Sequence, residues 1–540
     1  MTDVLIVGAG PTGLTLACDL ARRGIAVRVL DRSPEHPRSS RSKGPNARSL
    51  EVLEDLGVVD AVLAAGSAPL PMRKYRDGLP VTETDPYADS SPTPDAPYDR
   101  GRLIAQWRLE EVLRDRLAAY GVEVELGTEV VGLTEGATAV TAELAGGSRA
   151  TARYVVGCDG AHSSVRKLLR VPFDGATDEE QVMVCGDVEI TPGVLDRGVW
   201  HQWFDEDGAV MLCPIPGTRA GWWYQSGPER DSRGRPLAPS HDGFRRLFAR
   251  HTRLPAAHLT AATLLSTYRV NVRMADRYRV GRVLLAGDAA HVHSIAGGLG
   301  MNTGIQDAYN LGWKLAQVVR GRAHPGLLDT YEEERLPVAA WTLDLTSERL
   351  RATLEAIRKP GGGLDSAVTP ETAGLDRGYR WSSLARPGHR AGAGGPLSGD
   401  RAPDAPCREA VTGAPIRLFH AFAGPHLTVL GFGAGAAHAL EAAVAAHGDT
   451  VRAYRVYGPG EATPASPGGP AGLHDDAGHA RSAYGVEEDA VVVIRPDNHV
   501  GLIATAGDTA AVLGYLDALD RAPRADRTGT ADMVDGARKG

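Results

Sequence analysis

The pattern of apolar and polar residues along the chain predicts where it forms strands and helices. Residues 3–7 are a short apolar run, and a glycine-rich turn from Gly8 to Gly13 follows it. Residues 14–23 carry apolar side chains at helical spacing, and residues 26–30 form a second apolar run that ends at Asp31. This order of strand, turn, helix and strand predicts a βαβ unit with a parallel strand pair.

The middle of the chain has a different pattern. Between about residues 181 and 270, apolar and polar residues alternate, and four of the eight tryptophans of the chain lie there. Alternation is typical of strands with one buried face, so we expect an antiparallel sheet that covers something flat and apolar. A buried strand at residues 282–286, a glycine-rich turn and a helix from about residue 304 to 320 then resume the first pattern.

Glycine and proline become frequent after residue 360, which predicts a linker over residues 361–395. A second small α/β pattern follows, with a helix predicted over residues 437–447 and a strand over residues 490–494. The sequence predicts a nucleotide-binding domain in two parts, residues 1–180 and 271–360, with a middle sheet domain between them at residues 181–270. Loop 70–100 of the first part contributes to the middle domain. The linker at residues 361–395 leads to a C-terminal domain at residues 396–520 and a flexible tail at residues 521–540.

Length, charge and cysteine content narrow the class of protein. A chain of 540 residues is too long for a single core. The net charge of −8 and the absence of a long basic run argue against a nucleic-acid partner. The five cysteines are scattered, with no CxxC pair, as expected for a reduced cytoplasmic protein. No leader peptide and no apolar run of membrane-spanning length are present, so we expect no membrane association.

Three short segments carry the candidate chemistry. The first is Gly8–Gly13, a GxGxxG turn between a strand and a helix, where glycines allow the backbone to approach a pyrophosphate and Asp31 can accept from a ribose hydroxyl. The second is Gly157–Arg166, which by itself is equally consistent with a strand followed by a capped helix. The third is Gly287–His291 with the glycine-rich stretch 297–302, where Asp288 can accept from a sugar hydroxyl.

In this order, GxGxxG, GCDGxxSxVR and GDAAH…GGxGxN…DAxNLxWKL resemble the motifs of class A FAD-dependent aromatic monooxygenases, the para-hydroxybenzoate hydroxylase fold. The resemblance covers about residues 1–350. It implies an α/β fold, with a Rossmann-like FAD-binding domain and an inserted antiparallel-sheet substrate domain. The C-terminal part resembles the thioredoxin-like domain of phenol hydroxylases and aromatic polyketide hydroxylases. Because Cys407 is its only cysteine, we expect this domain to be structural and not redox-active.

The resemblance also assigns roles to particular positions. The turn residues would line the FAD pyrophosphate, with Asp31 and its neighbour Arg32 at the adenosine ribose. Gln106 would contact the ribityl region, Val130 would reach adenine through its backbone, and Asp159 would support both FAD and nicotinamide binding. Arg41 and Lys43 would lie near the pyrophosphate, although solvated loop cations are the alternative. The full predicted cofactor site is Gly8, Gly10, Pro11, Thr12, Gly13, Asp31, Arg32, Arg41, Lys43, Gln106, Val130, Asp159, Asp288, Gly300, Met301 and Asn302.

No side chain is assigned a catalytic role, because in this family the cofactor performs the reaction. The loop of Ile295, Gly297 and Gly298 would lie near the reacting edge of the flavin. Ile295 stands where relatives have proline and Leu299 where they often have glutamine, which makes this loop more apolar. His291 and His293 have HxH spacing, but no third ligand is nearby, so we expect structural histidines and no metal.

The function implied by the resemblance is oxygenation with FAD, bound non-covalently, and with NADPH or NADH as a transient co-substrate. O₂ would form a flavin C4a-hydroperoxide that hydroxylates a large phenolic or polycyclic aromatic substrate of the polyketide type, as in antibiotic biosynthesis. Baeyer–Villiger oxidation and epoxidation on the same scaffold stay open, as does a non-oxidising FAD-bound binding protein or cyclase. The protein would be a monomer or a homodimer. The predicted substrate contacts are Trp203, Met211, Trp222 and Tyr224.

Overall fold

The structure is a computed structural model that describes residues 2–40, 42–294, 296–359, 361–388, 394–461 and 470–521. The predicted positions Arg41 and Ile295, and nearly all of the predicted tail, lie outside these residues. The strands, in chain order, are β1 Thr2–Val7, β2 Val27–Leu30, β3 Met72–Arg76, β4 Leu79–Thr84, β5 Val124–Glu125, β6 Val130–Glu135, β7 Val140–Leu144, β8 Arg149–Gly157, β9 Phe173–Ile190, β10 Trp200–Asp205, β11 Gly208–Pro214, β12 Gly221–Ser226, β13 Leu259–Ala262, β14 Ser266–Ala275, β15 Arg279–Val280, β16 Val283–Leu285, β17 His291–Val292, β18 Pro406–Glu409, β19 Pro415–Arg417, β20 Leu427–Phe432, β21 Val451–Tyr457, β22 Ala471–His474, β23 Ala490–Ile494 and β24 Val500–Thr505.

The helices are α1 Pro11–Arg22, α2 Ala47–Asp55, α3 Val59–Ala65, α4 Gln106–Ala118, α5 Ser164–Leu168, α6 His241–Thr252, α7 Gly300–Val319, α8 Asp329–Ala356, α9 Pro370–Ala373, α10 Leu418–Phe422, α11 Ala437–His447, α12 His479–Ala483 and α13 Thr509–Arg521. Of these helices, none is long and apolar enough to cross a bilayer. The chain divides into two units, Met1–Tyr309 with Pro337–Asp376 and Asn310–Leu336 with Arg377–Gly540.

In the first unit, a sheet in the order β15-β16-β8-β1-β2-β5 contains the predicted βαβ pair, with β6 and β7 attached beside β8. Strands β16, β8, β1 and β2 run parallel, and their last residues are in register, with Val7 beside both Leu30 and Gly157 and with Leu285 also beside Gly157. The segments that follow these strands therefore emerge at one edge of the sheet, which is where α/β folds bind ligands. All three candidate motifs and Asp31 follow these strand ends.

The second sheet of this unit has the order β17-β14-β9-β12-β11-β10-β3-β4, with β13 paired to β9. Its pairs are antiparallel except β10 with β3. The α6 helix packs on one face through Phe244 and Phe248, in a core that includes the strand residues Val184, Leu212 and Trp222. The predicted antiparallel middle sheet is thus present, and β3 and β4 from residues 72–84 form one edge of it.

The second unit contains a mixed sheet in the order β19-β18-β22-β21-β20-β23-β24. The β20–β21 and β21–β22 pairs are parallel, and the others are antiparallel. The predicted helix at 437–447 and strand at 490–494 have the observed bounds of α11 and β23. Cys407 is buried in the apolar core of this sheet, and burial raises the pKa of its thiol to about 12.

The second unit also contains a group of paired buried charges. The guanidinium of Arg495 donates to both carboxylate oxygens of Glu334 at 2.6 and 2.9 Å and to Asp497 at 2.5 Å. The Lys314 ammonium donates to the same Glu334 carboxylate at 2.6 Å. All these side chains are essentially inaccessible to solvent. Because each buried charge has a partner, the group is tolerated, and removing one member would leave an unpaired charge.

Candidate functional site

A cavity of about 1710 Å³ lies in the first unit, beside the shared strand edge. The β1–α1 turn forms one end of it. Gly8 has φ +107°, and a Cβ there would lie 2.3 Å from the carbonyl oxygen of Cys158, while a Cβ on Gly13 would lie 2.0 Å from the carbonyl oxygen of Gly8. These two glycines are required for packing. In contrast, a Cβ on Gly10 would meet no atom within 4 Å, so the backbone there is open to a ligand.

The start of α1 suits an anion. Gly10 is the N-cap of α1 and supplies no side-chain hydrogen bond to the first turn, and Pro11 is the first helical residue. Gly10, Pro11 and Thr12 all line the cavity. A helix N-terminus with uncapped amides and a close backbone approach fits the pyrophosphate of a dinucleotide.

Asp31 holds the turn in shape from the end of β2. Its carboxylate oxygens accept from the amides of Ala9 and Ser33, each at 2.8 Å. Arg32 beside it is exposed, and Val130 is buried at the start of β6, where it pairs with Leu144. Contacts of Asp31, Arg32 and Val130 with an adenosine group stay predictions.

The second motif forms a helix cap. Asp159 accepts from the Ser163 hydroxyl at 2.5 Å and from the amides of Ser164 and Val165 at 2.6 and 3.1 Å. Ser163 in turn caps α5 by accepting from the amide of Arg166 at 2.9 Å. The residues that border the cavity are Gly160, Ala161 and His162. The interpretation of this segment as a strand followed by a capped helix is therefore confirmed. A role of Asp159 in nucleotide binding stays a prediction.

The third motif supplies an acid and a helix start. Asp288 is exposed to the cavity, directly after Gly287, which has φ +61°. Gly300, Met301 and Asn302 begin α7 and also line the cavity. We call residues 296–300 the glycine loop. The amides at this helix start and the Asp288 carboxylate are suited to hydroxyls and to an electron-rich ring edge.

The predicted residues Gln106 and Lys43 also line the cavity, and each contacts other residues of the protein. The Gln106 amide oxygen accepts from the Ser42 amide at 3.2 Å, and its nitrogen donates to Glu110 at 2.9 Å. Burial raises the pKa of Glu110 to about 7. Lys43 lines the cavity with its ammonium 5.3 Å and 6.0 Å from the ring centres of Trp200 and Trp223, and burial lowers its pKa. Lys43 therefore lies against the aromatic wall of the middle sheet.

The two histidines of the HxH spacing are buried, His293 also lines the cavity, and a structural role for them stays a prediction. His291 is completely buried and lies 2.6 Å from a carboxylate oxygen of Asp307, which also accepts from the amide of Gly287 at 3.0 Å. Burial lowers the pKa of His293 to about 3, so this imidazole is neutral at physiological pH.

The middle sheet forms the other side of the cavity, and its strand alternation decides which aromatic residues reach it. Trp223 and Met211 line the cavity. Trp203 and Trp222 instead lie in the core on the α6 side, so the prediction that they contact substrate is corrected. Tyr224 belongs to the same core, where its ring stacks on that of Phe244 with 4.3 Å between the ring centres, and it also borders the cavity. Trp200 and Phe204, which the sequence analysis did not select, line it as well.

The last wall of the cavity comes from α8 and from residues interpreted above as a linker. Leu350 and Leu354 of α8 and Ile357 just after it line the cavity, as do most of residues 364–376. We call residues 364–376 the wall segment. The linker interpretation of 361–395 is therefore wrong for this part. Its glycine and proline content suggested a linker, whereas the segment folds into short helical turns at residues 364–367 and 370–373.

Comparison with known proteins decides the family. A family model described as "FAD binding domain" matches residues 1–346, and one described as "Phenol hydroxylase, C-terminal dimerisation domain" matches residues 470–523. The chain belongs to the class A FAD-dependent aromatic monooxygenases. FAD is its cofactor, and the uncapped α1 start, the open backbone at Gly10 and the α7 start are the features that fit it.

Particular relatives show how far the likeness extends. A "Flavin-dependent monooxygenase" of Mycobacteroides abscessus is 39% identical over 524 residues, which is 95% of this chain and 99% of that protein. The "6-methylpretetramide 4-monooxygenase" of Streptomyces rimosus is 39% identical over 66% of this chain and 62% of its own length. Among solved structures, the ternary complex of aklavinone-11 hydroxylase with FAD and aklavinone has a TM-score of 0.79 at 28% identity and covers 96% of this chain and 99% of that one. The α/β fold class predicted from the sequence is confirmed.

Proposed function

We propose that this monooxygenase uses NADPH or NADH and O₂ to hydroxylate a large, flat phenolic or polycyclic aromatic substrate of the polyketide type. The observation that carries this proposal is the cavity, which joins the dinucleotide-binding turns to an aromatic and apolar wall. Its volume of about 1710 Å³ exceeds the ~300–1,000 Å³ of common small-molecule sites, which leaves room for a multi-ring ligand beside the cofactor. Two similar proteins, aklavinone-11 hydroxylase and 6-methylpretetramide 4-monooxygenase, are named after such molecules, which supports a substrate of this size.

The bound cofactor supplies the electron-transfer and oxygen chemistry. The chain supplies binding and exclusion of water. The start of α1 would hold the pyrophosphate, Asp288 would accept from a hydroxyl of the cofactor, and the start of α7 would hold the ring system. Trp200, Trp223 and Met211 offer a flat apolar surface to the substrate, with Gln225 at the same face of β12 as a polar contact. A dry apolar surface at the reacting edge protects a reactive oxygen species from water.

The apolar lining selects against small charged substrates. A carboxylate placed against Trp200, Trp223 and Met211 would lose its hydration, and the cation beside this part of the wall is the Lys43 ammonium. Non-covalent FAD binding and a homodimer built through the C-terminal domain belong to the same proposal. Baeyer–Villiger oxidation and epoxidation would use the same cavity, and no contact described above favours either over hydroxylation.

The experiment is a ligand panel read by NAD(P)H oxidation. Purified protein with FAD is mixed with NADPH or NADH and with phenols of one to four rings, with para-hydroxybenzoate as the small charged comparison. We expect the multi-ring phenols to accelerate oxidation most. Greater stimulation by para-hydroxybenzoate than by every multi-ring phenol would contradict the proposed substrate class.

A further inference from the structure

A row of hydrogen bonds connects the glycine loop with the wall segment. The Asn302 side-chain nitrogen donates to the carbonyl oxygen of Gly298 at 2.8 Å, and its oxygen accepts from the backbone amide of Asn46 at 2.8 Å. The Asn46 side-chain nitrogen then donates to the carbonyl oxygen of Thr372 at 2.9 Å. We call this row the asparagine relay. Through it, two side chains join the cofactor side of the cavity to its substrate side.

Direct packing reinforces the relay. Gly297 has φ +80°, and a Cβ there would lie 3.2 Å from the methyl carbon of Thr372. Gly374 has φ +74°, and a Cβ there would lie 3.1 Å from the side-chain nitrogen of Asn46. The two segments are thus in contact with no room between them. Asn302 is 2% exposed, so water competes little for its hydrogen bonds.

The wall segment is also anchored at its other end. The ammonium of the buried Lys74 donates to the carbonyl oxygen of Gly361 and to the carboxylate of Asp365, each at 2.9 Å. The Thr84 hydroxyl donates to the same carboxylate at 3.2 Å. With one end held on the middle sheet, a change of conformation at Thr372 has to be taken up by the residues between the anchors. Those residues line the cavity.

We propose that Asn46 is a positioning residue that couples the wall segment to the glycine loop. When FAD binds against the glycine loop, the relay orders the wall segment. By thermodynamic linkage, FAD raises the affinity for a substrate bound on that wall, and the substrate raises the affinity for FAD by the same factor. Asn46 acts through Thr372 and Asn302 and does not itself react. The assignment of the wall to substrate binding rests on the proposed function, whereas the link between FAD and the wall does not.

The test is hydrogen exchange of residues 364–376 with and without saturating FAD, in the wild type and in Asn46→Ser. Asn46 also caps α2 by accepting from the Ser49 amide at 3.0 Å. Serine keeps a capping oxygen and the backbone amide, and it removes only the donor to Thr372. We expect FAD to slow exchange of the wall segment in the wild type. In Asn46→Ser, the slowing of exchange by FAD should be about five-fold smaller, because one hydrogen bond is lost. The affinity for FAD should fall by the same factor.

Thr84→Val is the matched control, because it loosens the wall segment at Asp365 and leaves the relay intact. It should speed exchange equally with and without FAD. If the serine variant does not fold, Asn46→Asp keeps the cap and places an oxygen in the donor position. Equal FAD-dependent slowing in the wild type and the Asn46 variant, or no slowing in the wild type, would overturn the proposal. Because only FAD is used, the outcome is independent of which substrate the enzyme oxidises.

Discussion

Trp222 and Trp223 are adjacent in the sequence and lie on opposite faces of one strand. Trp222 packs in the core on the α6 side of the middle sheet, and Trp223 lines the cavity beside the Lys43 ammonium. Successive side chains of a β-strand point to opposite faces, so of these two buried tryptophans only Trp223, which also packs with Leu103 and Ile215, reaches the cavity. The two residues therefore provide a matched pair of substitutions.

For Trp222→Ala we expect a loss of stability of about 3–5 kcal/mol, as for other large buried aromatic residues. For Trp223→Ala we expect weaker binding of multi-ring phenols, seen as a raised KM in substrate-stimulated NAD(P)H oxidation. Chemical denaturation and steady-state kinetics of both variants check this. A stronger effect of Trp222→Ala than of Trp223→Ala on KM in folded protein would contradict the assignment of faces.

Asp288→Ala should lower FAD affinity, because an acceptor for a cofactor hydroxyl is lost from the cavity, at a cost of ~1–3 kcal/mol. The flavin absorbance of the purified protein and a titration with FAD measure this. Asp276→Ala removes an exposed carboxylate from the loop after β14 and should leave flavin content unchanged. Full flavin content in the Asp288 variant would show that this carboxylate does not hold the cofactor.

Glu110 should make stability depend on pH. Burial raises its pKa to about 7 in the folded protein, so the native state binds this proton more tightly than the unfolded chain. The protonated Glu110 carboxyl therefore contributes to the free energy of unfolding, fully below about pH 4.5. This contribution is lost as pH rises toward 7, which lowers the free energy of unfolding by at most about 3 kcal/mol. In Glu110→Gln, the fall in the free energy of unfolding between these pH values should be smaller, and the variant should be more stable than the wild type at pH 8. An unchanged pH profile would mean that Glu110 is not the titrating group.

How much of this site the sequence predicts depends on the kind of signal. The GxGxxG turn and the start of α7 are local patterns whose backbone requirements are visible in the residues themselves. The wall segment is not visible in this way, because Gly361–Gly363 and the prolines around it suggest a linker. Long-range contacts, such as the ion pair of Lys74 with Asp365, hold the segment against the middle sheet. Likewise, the alternating pattern predicts the middle sheet, but the face of each tryptophan depends on which side α6 covers.

Cys407→Ser should leave turnover unchanged. The thiol is free and buried in the apolar core of the C-terminal sheet, and a redox role requires a second thiol to exchange with. A buried hydroxyl without a partner costs about 1–3 kcal/mol, so we expect a lower melting temperature. Turnover per bound FAD, compared with the wild type, is the measurement. A large loss of turnover in folded, FAD-loaded protein would indicate a role for this thiol in the reaction.

The proposed reaction is the transfer of one oxygen atom from O₂ to a multi-ring phenol bound in the cavity. The most direct measurement is the product mass after incubation of the FAD-loaded protein with NADPH, ¹⁸O₂ and the multi-ring phenol that stimulates oxidation most. We predict a product heavier by one ¹⁸O atom, with an intact carbon skeleton and a new aromatic hydroxyl group. A product of unchanged mass, or one in which the added oxygen comes from water, would contradict the account.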